Sequence, residues 1–301
     1  GSNSANIITR NSRINLLEGK SRNDILKGRL GNDTLDGGNN IDTVDYSYTT
    51  SSISVNLSDS TVITTIDNDT NGFDSSDEKD TLIAIENVTG GSGNDTIQGN
   101  SSVNVLIGND GNDYFSGGTA SDTINGGSGI DTIDYTYLGT SKIEVDLSAS
   151  AGYATVTVVG QEETDVLRNI ENVTTASGDD TVYGTSDNNT IKTGAGNDVI
   201  KAGAGDDYID AEGGTDLVDY SNGTSSITVK LNTTLAQTIG GGLGDDTILN
   251  VENVLGTSYD DTFIGSNSVS NLFRGGLEGS EINGDTVDYS ELTDNSNNIT
   301  A

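Results

Sequence analysis

Cysteine, histidine, proline, methionine and tryptophan are all missing from the 301 residues. Without cysteine there is no disulfide framework and no thiol redox chemistry. Without histidine the commonest general base and the commonest zinc ligand are gone, and a Ser-His catalytic system is excluded. No proline interrupts strands that have to stack. With no methionine, residue 1 is not a natural start, and Gly1-Ser2 resembles an expression scar on an excised segment. Hydrophobic residues make up 31% and aromatics 5%, too little for a conventional core in a chain this long. No apolar run approaches the ~20 residues of a membrane span, so no membrane insertion is expected. Basic residues are scarce: 13 Lys+Arg stand against 47 Asp+Glu, for a net charge of −34. Self-repulsion of that size opposes collapse, and no nucleic-acid partner is expected.

What is abundant is glycine, 40 residues of it, and aspartate, which outnumbers glutamate about three to one. Both fall into a nine-residue period. Residues 90–134 read GGSGNDTIQ, GNSSVNVLI, GNDGNDYFS, GGTASDTIN and GGSGIDTID, followed by Tyr135. Glycines sit at the first, second or fourth place. The sixth place is polar (Asp95, Asn104, Asp113, Asp122, Asp131) and the eighth apolar (Ile97, Leu106, Phe115, Ile124, Ile133). Glycine admits positive φ, so the first six residues can turn tightly with carbonyls aimed inward. The last three suit a short strand whose middle side chain enters a core. One such half-turn cannot bury its single apolar residue, so the copies must stack as a solenoid.

This pattern resembles the repeats-in-toxin (RTX) family, whose nonapeptide GGxGxDxUx is a Ca²⁺-binding parallel β-helix repeat. The residue chemistry agrees, since Ca²⁺ takes six to eight oxygens and these loops offer carboxylates and carbonyls. The resemblance implies an all-β fold, a right-handed parallel β-roll or β-helix (an RTX solenoid) with wider strand-turn inserts. It also implies several Ca²⁺ ions between stacked loops, held by carbonyls of the glycine-rich half and the sixth-place Asp. The ligands implied in the first run are Gly91, Gly93, Asp95, Gly111, Asp113, Gly118, Asp122, Gly127, Gly129 and Asp131. A second clean run, 175–221, offers Gly178, Asp180, Gly194, Gly196, Asp198, Gly203, Gly205, Asp207, Gly214 and Asp216, with Asn189 in place of one Asp. Degenerate N-terminal copies add Asp24, Asp33 and Asp42, with Asn15 ahead of them. GTSYDDTFI adds Asp261.

A larger unit overlies the nonapeptides. Runs close on Asp-Tyr-Ser/Thr at 45–47, 134–136, 219–221 and 288–290. Alternating strands follow at 53–57, 143–147 and 227–231, then Glu-Asn-Val at 86–88, 171–173 and 252–254. The segments are an N-terminal piece 1–9, modules 10–89 (insert 47–80), 90–174 and 175–255, a partial module 256–290, and a polar tail 291–301. The inserts hold further nonapeptides. GGLGDDTIL at 241–249 fits in full and puts Gly242, Gly244 and Asp246 forward as Ca²⁺ ligands; Asp80 and Asp165 belong to degenerate copies, with ligation left open. Glu86, Glu171 and Glu252 read as strand edges beside asparagine ladders. Residues 67–78, DNDTNGFDSSDE, match a calcium-loop pattern, which gives Asp67, Asp69, Asn71, Phe73 and Glu78 as ligands around Gly72. The preceding TVITTI reads as strand and no helix flanks the loop, so a plain solvated loop is the alternative.

Six of the 13 basic residues crowd the N-terminal copies: Arg10, Arg13, Lys20, Arg22, Lys27 and Arg29. Two readings are open, fixed cations replacing Ca²⁺ in a terminal cap, or a basic patch for an acidic polysaccharide. Carboxylate pairs such as Asp179/Asp180 and Asp206/Asp207 recur at fixed repeat positions, as ligands do and a catalytic pair does not. No enzymatic activity is expected. Tyr46, Tyr135, Tyr220 and Tyr289 end the runs, and a structural plug suits that place better than a sugar platform. The resemblance further implies an extracellular or cell-surface bacterial protein that crosses a type I secretion channel unfolded. An adhesin or surface-layer protein is the first choice of parent. The alternatives are an acidic-polysaccharide-binding module of a carbohydrate-active enzyme, or the secretion region of a toxin or protease.

Overall fold

A computed structural model of the chain describes residues 5–58, 62–66, 77–148, 154–160, 164–266, 270–276, 284–288 and 290. Every regular element among them is a β-strand, apart from one 3₁₀ turn at Thr136–Leu138. The chain divides into two compact units, 1–137 with 149–172, and 138–148 with 173–301.

In the first unit, successive strands alternate between two parallel sheets. Thr96–Gln98, Tyr114–Ser116 and Thr132–Asp134 lie side by side in one, with Ile97 opposite Phe115 and Phe115 opposite Ile133. Asn87–Thr89, Val105–Asp110 and Thr123–Ser128 lie in the other, with Val88 opposite Leu106 and Leu106 opposite Ile124. Partners are eighteen residues apart, so two nonapeptides complete one turn of the roll. All six of these side chains are fully buried. A sheet period of two turns each three-residue strand into one buried residue between two partly exposed neighbours, which is why the eighth place alone is apolar. The second unit repeats the scheme with Val182, Ile200, Val218 and Val254 in one sheet and Ile191, Ile209 and Ile248 in the other.

The first insert is a meander laid into one sheet. Ile53–Asn56 pairs antiparallel with Val62–Ile66, which pairs antiparallel with Glu78–Ile83. The outer two strands rejoin the roll by parallel pairing, with Thr96–Gln98 and Thr34–Asn39 respectively. The chain thus steps ahead of its place in the stack and doubles back to fill it. From Ile83 it crosses to the other sheet in only three residues, Ala84, Ile85 and Glu86, where an intact repeat uses six. Ala84 takes φ 49° to make that turn, and Asn169 and Asn250 do the same at 49° and 56°.

Candidate metal centre

The sixth-place residues form ladders inside the roll. The backbone N–H of Asp95 donates to Oδ1 of Asp113 (2.7 Å), and that of Asp113 to Oδ1 of Asp131 (2.8 Å). The same bond joins Asp24 to Asp42, Asp180 to Asp198 and Asp198 to Asp216, always eighteen residues apart. Each sixth-place side chain therefore ties its turn to the turn before it. All are buried, because the loop closes over them.

One carboxylate oxygen is used in this way; the other decides the chemistry. Oδ2 of Asp24, Asp33, Asp42, Asp113, Asp131, Asp207 and Asp216 is buried without a hydrogen-bond partner. An ionised oxygen left so is strongly unfavourable, and native structures satisfy such atoms. Burial pushes Asp113, Asp131 and Asp207 up to about 7, and Asp198 and Asp216 to about 6. A cation beside them would relieve the cost.

The glycines build the space around that oxygen. A Cβ on first-place Gly108 would strike Oδ2 of Asp113 and the carbonyl of Gly126, one turn on; Gly28 and Gly126 face Asp33 and Asp131 in the same way. Fourth-place glycines stack in columns, Gly93–Gly111–Gly129 and Gly178–Gly196–Gly214, each leaving no room for a Cβ above the carbonyl below. Gly127 and Gly129 hold φ 115° and 144°, conformations that favour glycine. Gly118, Gly194, Gly203, Gly205 and Gly244 also take positive φ. Gly91 lies over Thr49 of the preceding turn and Gly178 over Ser141. Among the described residues no three acidic side chains gather at one point. A cation here would be held mainly by backbone oxygen with the sixth-place carboxylates, a donor set that suits Ca²⁺.

The comparisons agree with this geometry. The family model of the RTX calcium-binding nonapeptide repeat, four copies long, matches residues 10–44, 84–114, 98–133, 174–209, 183–218 and 193–227. The chain carries RTX calcium-binding repeats. Comparison with curated proteins returns no match. RTX nonapeptides bind multiple Ca²⁺ ions, and every aspartate with the unpartnered oxygen lies inside a matched stretch. When bound, Ca²⁺ supplies the positive charge that lets these carboxylates stay ionised inside the roll.

Several RTX positions differ from their sequence-level assignment. Asp246 sits at the sixth place, yet both its oxygens are engaged: Oδ1 accepts from the N–H of Asp207 (3.0 Å) and Oδ2 from the hydroxyl of Tyr220 (2.6 Å). Its second oxygen is thus engaged where that of Asp113 or Asp207 is not. Asp80 and Asp165, left open above, take the same ladder place with the same second bond, from Tyr46 (3.1 Å) and Tyr135 (2.9 Å). Asp95 and Asp261 turn Oδ2 to backbone N–H groups of their own loops, at Gly91 and Thr257. Asn104 and Asn189 donate the ladder bond from their own N–H to Asp122 and Asp207, but turn their amide oxygens to the N–H groups of Asn100 and Thr185 in their own loops.

Sequence reasoning missed the three glutamates. Oε2 of Glu86, Glu171 and Glu252 accepts from the N–H of Asp42, Asp131 and Asp216 (2.8, 2.8 and 3.0 Å), so each fills the sixth place of a shortened repeat. The signal was available: Asn-Val-Thr or Asn-Val-Leu after each Glu matches the strand triplet of the intact repeats.

In the N-terminal copies the sixth-place carboxylates keep the arrangement of the intact repeats. Arg13 points to solvent, and Oδ2 of Asp24 and Asp33 stays without a hydrogen-bond partner. Arg10 and Arg29 instead line an exposed cleft of about 690 Å³ with Tyr48. Of the calcium-loop residues, Asp67, Asp69, Asn71 and Phe73 lie outside the described residues, as does Tyr289. Glu78 starts a strand opposite Ile66 and is buried, its carboxyl raised by burial.

Proposed function

We propose that this chain is a non-catalytic, calcium-stiffened structural and folding segment of a secreted bacterial protein of adhesin or surface-layer type. It leaves the cell unfolded through a type I channel and folds in external Ca²⁺. The observation that carries this is the series of buried carboxylate oxygens without partners. Metal-free, each opposes the fold; with metal, each supports it. Binding confined to the folded state adds about 2.7 kcal/mol per site at a hundredfold excess over Kd. Repeated along both units, that gain decides whether a chain of net charge −34 folds.

Circular dichroism of the EDTA-stripped chain during a Ca²⁺ titration, with Mg²⁺ as control, tests this. A cooperative coil-to-β transition produced by Ca²⁺ alone is expected. A metal-free chain already folded, with spectrum and melting temperature indifferent to Ca²⁺, would defeat the proposal.

A second reading is a non-catalytic module for acidic polysaccharide. It is favoured by the cleft at Arg10, Arg29 and Tyr48, where two guanidinium groups lie exposed on an otherwise acidic chain. A glycan array separates the two, since only this reading requires saturable binding to acidic sugars.

A further inference from the structure

We infer that Tyr46, Tyr135 and Tyr220 close the insert rungs of the roll without metal, so that Asp80, Asp165 and Asp246 are structural acceptors and not Ca²⁺ ligands. This rests on the calcium-binding role of the other sixth-place aspartates.

Three inserts of different length arrive at one contact. The tyrosine hydroxyl meets Oδ2 of the insert aspartate across 34, 30 and 26 residues of chain. A bond kept while the intervening segment changes is one that the packing requires. In Asp24, Asp33, Asp42, Asp113 and Asp207 the same atom is buried with no hydrogen-bond partner. The two groups of rungs thus share their Oδ1 bond and differ at the oxygen an ion would use. The phenol rings behind those hydroxyls are buried, at most 1% exposed, and take up the interior volume beside the carboxylate.

The loops point the same way. In the Asp33 and Asp113 loops the first-place glycine faces Oδ2 of its own sixth residue, Gly28 facing Asp33 and Gly108 facing Asp113. The first-place glycine of the Asp165 repeat is Gly160, and a Cβ there would meet nothing within 4 Å. That of the Asp246 repeat is Gly241, whose neighbours are Ile227, Ser225 and Gly223. At neither repeat does the first-place glycine close over the sixth-place carboxylate as Gly28 and Gly108 do. A hydroxyl donor is then the available way to satisfy a buried carboxylate oxygen. Asp80, Asp165 and Asp246 also fall outside every stretch matched by the nonapeptide family.

The consequence is a roll with two kinds of rung. Runs of ion-holding turns are bounded by tyrosine-closed turns, and each closed turn marks where an insert leaves and rejoins the stack.

The test compares Asp246→Asn with Asp207→Asn in the full chain, counting bound Ca²⁺ by equilibrium dialysis. Asn keeps a side-chain oxygen that can accept the ladder bond at either place, the bond that Oδ1 of Asp207 and of Asp246 accepts. Asp246→Asn is expected to bind as many ions as the parent, and Asp207→Asn at least one fewer. Loss of an ion from Asp246→Asn overturns the inference. Loss from neither overturns it together with the ligand role on which it rests. Tyr220→Phe gives a second readout. It keeps the ring and removes the donor, so the ion count stays full while the melting temperature in saturating Ca²⁺ falls. A reduced ion count in that variant overturns the inference as well.

Discussion

The N–H of Asp113 donates to Oδ1 of Asp131, eighteen residues later, while Oδ2 of the same Asp131 has no hydrogen-bond partner. One carboxylate thus does two jobs. Its first oxygen sets the spacing between turns, and its second is offered to a cation.

The two jobs can be separated at Asp113. In Asp113→Asn the amide keeps an oxygen that can accept from the N–H of Asp95, as Oδ1 of Asp113 does. The fold should form, with at least one Ca²⁺ fewer and a folding midpoint shifted to higher Ca²⁺. Calorimetric titration reads both numbers. An unchanged ion count would remove Asp113 from the ligands.

Acid should mimic the metal in part. In the folded, metal-free chain burial holds Asp113, Asp131 and Asp207 near 7, against about 3.9 for an unfolded aspartate. Between those values the folded state binds more protons, so metal-free stability rises as pH falls from 7 toward 4 and is least above 7. Ca²⁺ needs the ionised form, so its folding midpoint should move to higher concentration over the same window. Dichroism at pH 5.5 and pH 8, with EDTA and with graded Ca²⁺, checks both signs. A Ca²⁺ midpoint that falls on acidification would contradict them.

Side-chain length is decisive at the shortened turns. Glu86 reaches the N–H of Asp42 from a loop of three residues, where Asp would stop short. Glu86→Asp should cost on the order of 1–3 kcal/mol, the penalty of leaving that donor unsatisfied, and Glu86→Gln clearly less. Thermal unfolding at saturating Ca²⁺ compares them. Equal losses in the two variants would show that charge, not reach, is what matters.

Glycine content can be altered in opposite directions. Ala120 stands at a fourth place with φ 82°, so Ala120→Gly relieves a left-handed strain of roughly 1–2 kcal/mol, less the backbone entropy that glycine loses. A small gain in stability is expected. Gly108→Ala should do harm, because its Cβ lands on Oδ2 of Asp113. Here the loss should appear in Ca²⁺ affinity as well as in melting temperature. Tolerance of alanine at 108, with full affinity, would mean that the loop has slack the stacking does not show.

The sequence alone determined the period, and with it the fold. A nine-residue repeat with one apolar residue cannot bury that residue except by stacking, so Ile97, Phe115 and Ile133 had to line one core. It also determined the cation, because sixth-place aspartates in glycine loops offer oxygen and little else. Which aspartates keep an oxygen free was decided by the tertiary structure. Asp113 and Asp246 look alike in their nonapeptides, and they differ only because Tyr220, twenty-six residues earlier than Asp246, reaches back to it through the insert. The triplet after Glu86 marks its repeat in the sequence, but the bond it makes was decided by the stacking, since its ladder partner Asp42 lies forty-four residues away. Local pattern records what a loop can offer. Only the stacking of turns brings in the distant donor that takes up the offer before an ion can.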